Sequence, residues 1–277
     1  MKTYLTLLSF VLSSMAMPGR RQDAPSLCDK CERALPWDEQ DTTALLKDNT
    51  AANQQTVLTL IVNTAIIGNY TSNPGSLVKV DGILAPGTGD YKGVNLAPYF
   101  SGAGPTTNRG GDKGVMVNFL DGGGADPLKK NMPANNPKSN QGILVSHLYS
   151  YFAGLLGCSQ FGKTVSPYAG STSMYETHKF MDLDSLAVGW FIQQVGLSAA
   201  SFGVSADDVA AVGKSLSDTF GKRCSPPASV PASAKPMLQA ICIAPDCPLA
   251  KMPVCSAYGE MYGSASSYGS PPSYGGK

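Results

Sequence analysis

The sequence is poor in histidine and in charge. Its 277 residues include only two histidines, His147 and His178, which excludes any metal site that needs three. Charged residues make up 15% of the chain, below the roughly 25% of an average soluble domain. With Lys+Arg 21 against Asp+Glu 20, the net charge is +1, so we do not expect a nucleic-acid partner. No apolar run approaches the roughly 20 residues of a membrane span, so none is predicted.

Glycine and proline are abundant, with 30 and 20 residues respectively. Together with Asn and Ser they concentrate in two long stretches, at about 69–93 and 101–140. Residues 115–120 interrupt the second stretch with an alternation of apolar and polar side chains that predicts a short strand. Because long irregular segments are uncommon inside a compact domain, both stretches are predicted to be insertions.

The first residues are typical of a targeting segment. A short basic start precedes an apolar stretch that ends in Ser14-Met15-Ala16, a small-x-small cleavage pattern. This pattern predicts a secretory signal peptide over residues 1–16 and thus a secreted, extracellular protein. Residues 17–42 are then expected to form an N-terminal arm.

In an oxidising compartment, the seven cysteines are expected to form disulfides. Six of them lie near the two ends of the chain: Cys28, Cys31, Cys224, Cys242, Cys247 and Cys255. We expect three disulfides that join the two ends, with Cys158 left as a buried free thiol. A zinc site built from the C-x-x-C pair and two later cysteines is the alternative. Asn69-Tyr70-Thr71 is an N-glycosylation sequon and predicts a glycoprotein.

Helical signals extend over residues 43–224. The first predicted helix, within 43–68, has one apolar face: Val57, Leu60, Ile61, Thr64, Ala65 and Gly68. A second apolar face precedes a stop at Gly157: Leu144, Leu148, Tyr151, Phe152 and Leu155. Ser173, Asp184 and Ser205 are N-cap residues, and each predicts a further helix.

These patterns predict an all-α domain over residues 43–224. A Cys-rich extension follows over 225–255. Residues 256–277 form a Tyr/Gly/Ser/Pro tail that cannot build a core and is expected to be disordered.

Few residues offer catalytic chemistry. A Ser-His-Asp triad lacks its usual Gly-x-Ser-x-Gly elbow, and no spacing singles out a pair of carboxylates for glycoside hydrolysis. His147 and His178 are too far apart in sequence to bind one metal ion from a single helix. The remaining use of one histidine in an apolar helical pocket is axial ligation of haem iron. A purely structural histidine is the alternative.

The residues around His178 resemble the proximal motif of group one truncated haemoglobins. Within Tyr168-Ala169-Gly170-Ser171-Thr172-Ser173-Met174-Tyr175-Glu176-Thr177-His178, a Tyr-x-Gly, a Met and a histidine follow in that family's order. Three other segments resemble the family and stand in the right order along the chain: Leu96-Ala97-Pro98-Tyr99-Phe100-Ser101-Gly102, Tyr151-Phe152-Ala153-Gly154-Leu155-Leu156-Gly157 and Phe202-Gly203-Val204-Ser205. The resemblance covers about Thr43 to Cys224.

This resemblance implies a globin-like fold and a haem b group whose iron is ligated by His178. It also implies pocket walls of apolar and aromatic side chains: Leu144, Leu148, Tyr151, Phe152, Phe100 and Met174. His147 becomes the distal candidate, either as a sixth iron ligand or as a residue at the rim. The chain departs from the family in its long insertions, and in Ala65 or Ile66 where the family's distal Tyr is expected.

Without that tyrosine, reversible oxygen storage is not expected, because bound dioxygen carries partial negative charge and needs a nearby donor. Arg109 lies in a Gly-rich loop, which argues against the histidine–arginine pair of a peroxidase. We expect a secreted haem protein with a role in redox chemistry, in haem capture, or in handling NO, peroxide or oxygen. The alternative is a non-catalytic structural or interaction protein without haem, whose tail contacts an extracellular or cell-surface partner.

Overall fold

A computed structural model describes residues 50–70, 78–107, 113–160, 162–163, 166–230 and 234–259. Several predictions lie outside these residues: the signal peptide, the N-terminal arm with Cys28 and Cys31, the loop with Arg109, and nearly all of the C-terminal tail. Thr71 of the sequon lies outside them as well, although Asn69 is described and exposed.

The described part of the chain is mainly helical. Its α-helices are α1 (Ala51–Ile67), α2 (Ala97–Ser101), α3 (Ala125–Leu128), α4 (Asn140–Leu156), α5 (Met174–His178), α6 (Ser185–Ser201) and α7 (Ala206–Phe220). Short 3-10 helices cover Gly89–Tyr91 and Cys255–Tyr258. Over the described ranges, no helix combines the length and apolar character needed to cross a bilayer.

The helix ends follow the predicted capping residues. Ser173, Asp184 and Ser205 precede α5, α6 and α7, and each side chain accepts a hydrogen bond from the N–H group three residues later, at 3.2, 2.7 and 3.2 Å. The stop predicted at Gly157 is confirmed too, because this glycine ends α4 with a φ of 72°. Such a left-handed conformation is the usual end of a helix and is open to glycine without a steric penalty.

A small antiparallel sheet departs from the all-α prediction. Its strands are β1 (Gly102–Thr107) and β2 (Val115–Asn118), with Pro105 opposite Met116. β2 is the strand that the alternation over residues 115–120 predicts. β1 gives no such signal, because its Gly/Pro-rich sequence disfavours strands and it is extended only through pairing with β2.

The core lies between α1, α4 and α6, and α7 packs against α6. Leu58, Val145 and Trp190 are deeply buried there. The first helix is buried on more than the one predicted face, since polar Asn63 is also completely buried. Its side chain donates to the carbonyl of Leu128 at 3.0 Å and accepts from the hydroxyl of Tyr149 at 2.6 Å.

The two stretches predicted to be insertions contribute side chains to this core. Ile83 comes from the first stretch and Leu128 from the second, and both are buried. Gln194 of α6 holds the first stretch, because its side-chain oxygen accepts from the N–H groups of Asp81 and Gly82 at 3.1 and 2.8 Å. The described parts of these loops therefore belong to the packed domain.

The extension after α7 is closed by two disulfides, Cys224–Cys255 and Cys242–Cys247. Both pairs form within the C-terminal cluster, so the prediction that these four cysteines join the two ends of the chain is wrong. Cys158 is disulfide-bonded as well, so the predicted free thiol is also wrong. Sequence spacing cannot show which cysteines approach closely enough to pair.

Candidate functional site

His178 stands on a helix that the disulfide-closed extension holds in place. α5 has only five residues, and a helix this short is not stable alone. Ser173 Oγ donates to the carbonyl of Leu238 at 2.8 Å, and the side-chain oxygen of Gln239 accepts from the N–H of Met174 at 3.3 Å. The extension therefore positions both α5 and its histidine.

The imidazole of His178 has one nitrogen engaged by the backbone. Its Nδ1 lies 2.7 Å from the carbonyl oxygen of Met174, and we assign the proton to Nδ1 because a carbonyl only accepts. Burial lowers the pKa of His178, and the hydrogen bond to Met174 opposes this effect in part. The ring is thus neutral at pH 7, and Nε2 keeps the lone pair that a metal ion needs.

A cavity of about 160 Å³ lies beside this ring. Seven of the eight predicted site residues line it together: His178, Met174, Leu144, Leu148, Tyr151, Phe152 and Phe100. They come from α2, α4 and α5, which are distant in sequence. Nearly all of the wall is apolar, as expected of a site for a large apolar ligand.

A wider cleft of about 510 Å³ adjoins this cavity and contains the eighth predicted residue, His147. The cleft and the cavity share five lining residues: Leu144, Leu148, Tyr151, Met174 and His178. The half-buried ring of His147 packs edge-on against Tyr168, with centroids 5.5 Å apart, and burial lowers its pKa. Cavity and cleft together reach the roughly 300–1,000 Å³ of small-molecule sites.

The cleft is more polar than the cavity. Asn140, Glu176 and Thr177 line it together with His147. A bound molecule can therefore place an apolar body in the cavity and a polar edge in the cleft.

Ala65 and Ile66, which stand where the resemblance predicts a distal tyrosine, line a smaller apolar cavity of about 40 Å³. This smaller cavity shares four lining residues with the cavity beside His178: Ile83, Leu148, Phe152 and Phe191. They do not line the cavity beside His178. The described walls of the cavity thus contain no donor from α1.

Sequence reasoning missed the walls that come from beyond α5. These are Met181, Leu183, Ala187, Val188, Phe191, Leu216, Phe220 and Ile241. Phe191, Leu216 and Phe220 lie on helical apolar faces, so periodicity offered a signal for them. Ile241 had no such signal in the sequence, because this residue reaches the cavity only where the extension crosses α7. At that crossing the N–H of Ile241 donates to the carbonyl of Phe220 at 2.9 Å.

Within the described ranges, no group of three or more His, Cys, Asp or Glu side chains is placed to hold a metal ion. A neutral imidazole at an apolar cavity is chemically suited to a metal that arrives with its own equatorial ligands, as in haem. Comparisons with models of protein families, with curated proteins and with solved structures found no match to this chain.

Proposed function

We propose that this protein binds haem and that Nε2 of His178 is an axial ligand of the iron. The observation that carries the proposal is the hydrogen bond from Nδ1 of His178 to the carbonyl of Met174, in a ring that borders an apolar cavity. Metal-ligating histidines donate their second ring nitrogen in this way, which fixes the tautomer and the orientation of the ring.

The surrounding residues suit a porphyrin. Phe100, Phe152 and Phe191 give the cavity aromatic walls, which pack against a flat conjugated ring. The adjoining cleft offers a polar exit for the carboxylates of haem. His147 stands in that cleft, where it serves either as a second ligand or as a rim residue.

Haem bound here supplies an iron that coordinates oxygen, NO or peroxide and exchanges single electrons. This chain holds the proton of His178 on Nδ1, and it surrounds the ring with mainly apolar cavity walls. We propose a redox, small-ligand or haem-handling role. The disulfides fit an oxidising compartment, so we propose secretion as well.

The test is a haemin titration of the apoprotein followed by visible absorption. We expect a saturable Soret band in the wild type and an affinity at least about a hundredfold lower in His178→Gly, because losing a ligand should cost more than losing its supporting hydrogen bond. Added imidazole should restore the band in His178→Gly by filling the vacated position. A His147→Ala variant tests the second histidine, since low-spin bands that disappear in it indicate two histidine ligands.

Two results would overturn the proposal. One is no saturable haemin binding by a wild-type protein that circular dichroism shows to be folded. The other is a His178→Gly variant that binds as tightly as the wild type and does not respond to imidazole. The first result favours a secreted structural or interaction protein built on the same helices, and the second means that haemin is held without His178.

A further inference from the structure

A chain of hydrogen bonds joins α5 to the Cys224–Cys255 disulfide. Tyr175 of α5 donates its hydroxyl to the carbonyl of Tyr258 at 2.6 Å, and the two rings meet edge-on with centroids 4.6 Å apart. Tyr258 in turn donates to the carbonyl of Ser225, also at 2.6 Å. Because Ser225 directly follows Cys224, this chain of bonds ends beside the disulfide.

The short segment that carries Tyr258 is tied to the same disulfide. Cys255 and Tyr258 are the first and last residues of one 3-10 turn. A turn of this length is not stable without tertiary contacts. The disulfide joins its first residue to Cys224, and the N–H of Val254 just before it donates to the carbonyl of Cys224 at 2.8 Å. Loss of the disulfide therefore removes the covalent restraint on the turn that contacts α5.

The backbone of Cys224 has an unfavourable conformation. Its φ is +60°, and no other cysteine of the described residues has a positive φ. The left-handed region is disfavoured for a residue with a Cβ atom, and such a residue persists there only while its surroundings hold it. The disulfide is one of these restraints, so its reduction allows Cys224 to relax.

The two disulfides of the extension differ in how easily a reductant reaches them. Cys242 and Cys247 are 0 and 2% exposed, so both ends of their disulfide are buried. Cys224 is also 0% exposed, but Cys255 is partly exposed. Thiol–disulfide exchange requires an attacking thiolate to approach one of the two sulfur atoms. Within the extension, Cys255 is thus the cysteine at which this attack is least hindered.

We infer that Cys224–Cys255 is a regulatory disulfide, which a dithiol reductant opens and whose opening lowers the affinity of His178 for haem iron. This inference rests on the proposed haem function. A thiolate of the reductant attacks Sγ of Cys255, and Sγ of Cys224 leaves as a thiolate that takes up a proton. The second thiol of the reductant attacks the mixed disulfide and frees Cys255. The reductant is oxidised to a disulfide, and both cysteines become thiols.

Other bonds between α5 and the extension limit the effect of reduction. Ser173 Oγ donates to the carbonyl of Leu238, and the N–H of Met174 donates to the side chain of Gln239. Neither bond passes through the Cys224–Cys255 disulfide. Reduction should therefore loosen α5 without unfolding the domain. We expect a fall in haemin affinity of about tenfold, within the range that is usual for coupling between two sites.

The test reduces the full-length, oxidised apoprotein with limiting dithiothreitol and blocks the new thiols with iodoacetamide. Mass spectrometry then identifies the labelled cysteines, and haemin is titrated after the reagents have been removed. We expect Cys224 and Cys255 to be labelled before Cys242 and Cys247. The labelled protein should bind haemin about tenfold more weakly, and its α5 amides should exchange hydrogen faster. Reoxidation in place of labelling should restore both properties.

Two double variants show which disulfide carries the response. Cys224→Ala/Cys255→Ala should bind haemin as weakly as the reduced wild type and should not respond further to dithiothreitol. Cys242→Ala/Cys247→Ala should keep the response. If Cys224→Ala/Cys255→Ala responds as the wild type does, another disulfide is responsible and the inference is overturned.

A third variant breaks the hydrogen-bond chain and leaves both disulfides in place. Tyr175→Phe removes only the bond from the hydroxyl of Tyr175 to Tyr258. We expect the oxidised Tyr175→Phe protein to bind haemin more weakly than the wild type and to respond less to reduction. A response as large as that of the wild type would overturn the inference, and this test does not depend on whether the double variants fold.

The remaining outcomes separate the inference from the proposed function. Unchanged haemin affinity after selective labelling of Cys224 and Cys255 overturns the inference and leaves haem binding intact. Earlier labelling of Cys242 and Cys247 overturns it as well, and so does loss of the helical circular dichroism signal on reduction, because an unfolded protein is not regulated. No saturable haemin binding by the oxidised wild type removes both the inference and the proposed function.

Discussion

A histidine ligates iron only in its neutral form, so competition with protons sets the pH range of haem binding. The ordinary pKa of histidine is 6.5, and burial places the pKa of His178 below that value. We therefore expect the affinity for haemin to stay level on acidification to about pH 6.5 and to fall only below it. Haemin titrations at a series of pH values measure this profile.

A loss of affinity that begins above pH 6.5 would contradict this expectation, because it requires a normal or raised pKa for His178. Circular dichroism at each pH separates loss of ligation from unfolding. Long-range ¹H–¹⁵N NMR spectra of the apoprotein give an independent check, since the bond to Met174 requires the proton on Nδ1.

The residues of the candidate site were more accessible to sequence reasoning than their hydrogen bonds. Leu144, Leu148 and Tyr151 are spaced by four and three positions, so a helix necessarily places them on one face. The hydroxyl of Tyr151 has no hydrogen-bond partner among the described residues, and this depends on which acceptors the other helices bring near it. That is a property of packing, which a periodic pattern does not contain.

At the scale of single elements, α5 is the part on which the site depends most. Ser173 accepts a hydrogen bond from the N–H of Glu176 and donates one to the carbonyl of Leu238. It therefore both caps α5 and binds it to the extension. We expect Ser173→Ala to lower the free energy of unfolding by about 1–2 kcal/mol, from the lost cap and the lost hydrogen bond to the carbonyl of Leu238, which keeps the N–H of Tyr175 as a donor. We also expect it to weaken haemin binding, because the histidine is less well placed. Chemical denaturation and haemin titration measure the two effects.

Ser205→Ala is the matched control for this prediction. Ser205 caps α7 by accepting from the N–H of Asp208 at 3.2 Å, at an exposed helix start. Its loss should cost about 1 kcal/mol of stability with little change in haemin affinity. Equal effects of the two variants on haemin binding would show that α5 is not specially dependent on its cap.

Some helices and strands could be predicted from their local sequence, and others could not. The caps at Ser173, Asp184 and Ser205 were predictable because an N-cap interaction spans only three residues. The burial of α1 on several faces and the formation of β1 were not, because both depend on partners far away in the chain. The loop around Ile83 was not predictable for the same reason, because hydrogen bonds to Gln194 of the distant helix α6 hold it in place.

At the scale of the whole molecule, the extension acts as a brace across the helical domain. Tyr175 of α5 donates to the carbonyl of Tyr258, and Tyr258 donates to the carbonyl of Ser225, both at 2.6 Å. Ser225 and Tyr258 follow the two cysteines of the Cys224–Cys255 disulfide, which therefore holds two of the three residues in this chain of hydrogen bonds. A Cys-rich extension was predictable from composition, but its role as a brace on α5 was not.

This arrangement predicts unequal effects of the two disulfides on the site. Cys224 and Cys255 are 31 residues apart and Cys242 and Cys247 only 5, so loop entropy gives about 3–4 kcal/mol for the first and about 2 kcal/mol for the second. We expect Cys224→Ala/Cys255→Ala to lower the free energy of unfolding by about that larger amount and to weaken haemin binding. Cys242→Ala/Cys247→Ala, the control, should cost less stability and affect haemin affinity less. Haemin affinity that is unchanged in the first double variant, at a temperature where circular dichroism shows it folded, would mean that α5 keeps its position without the brace.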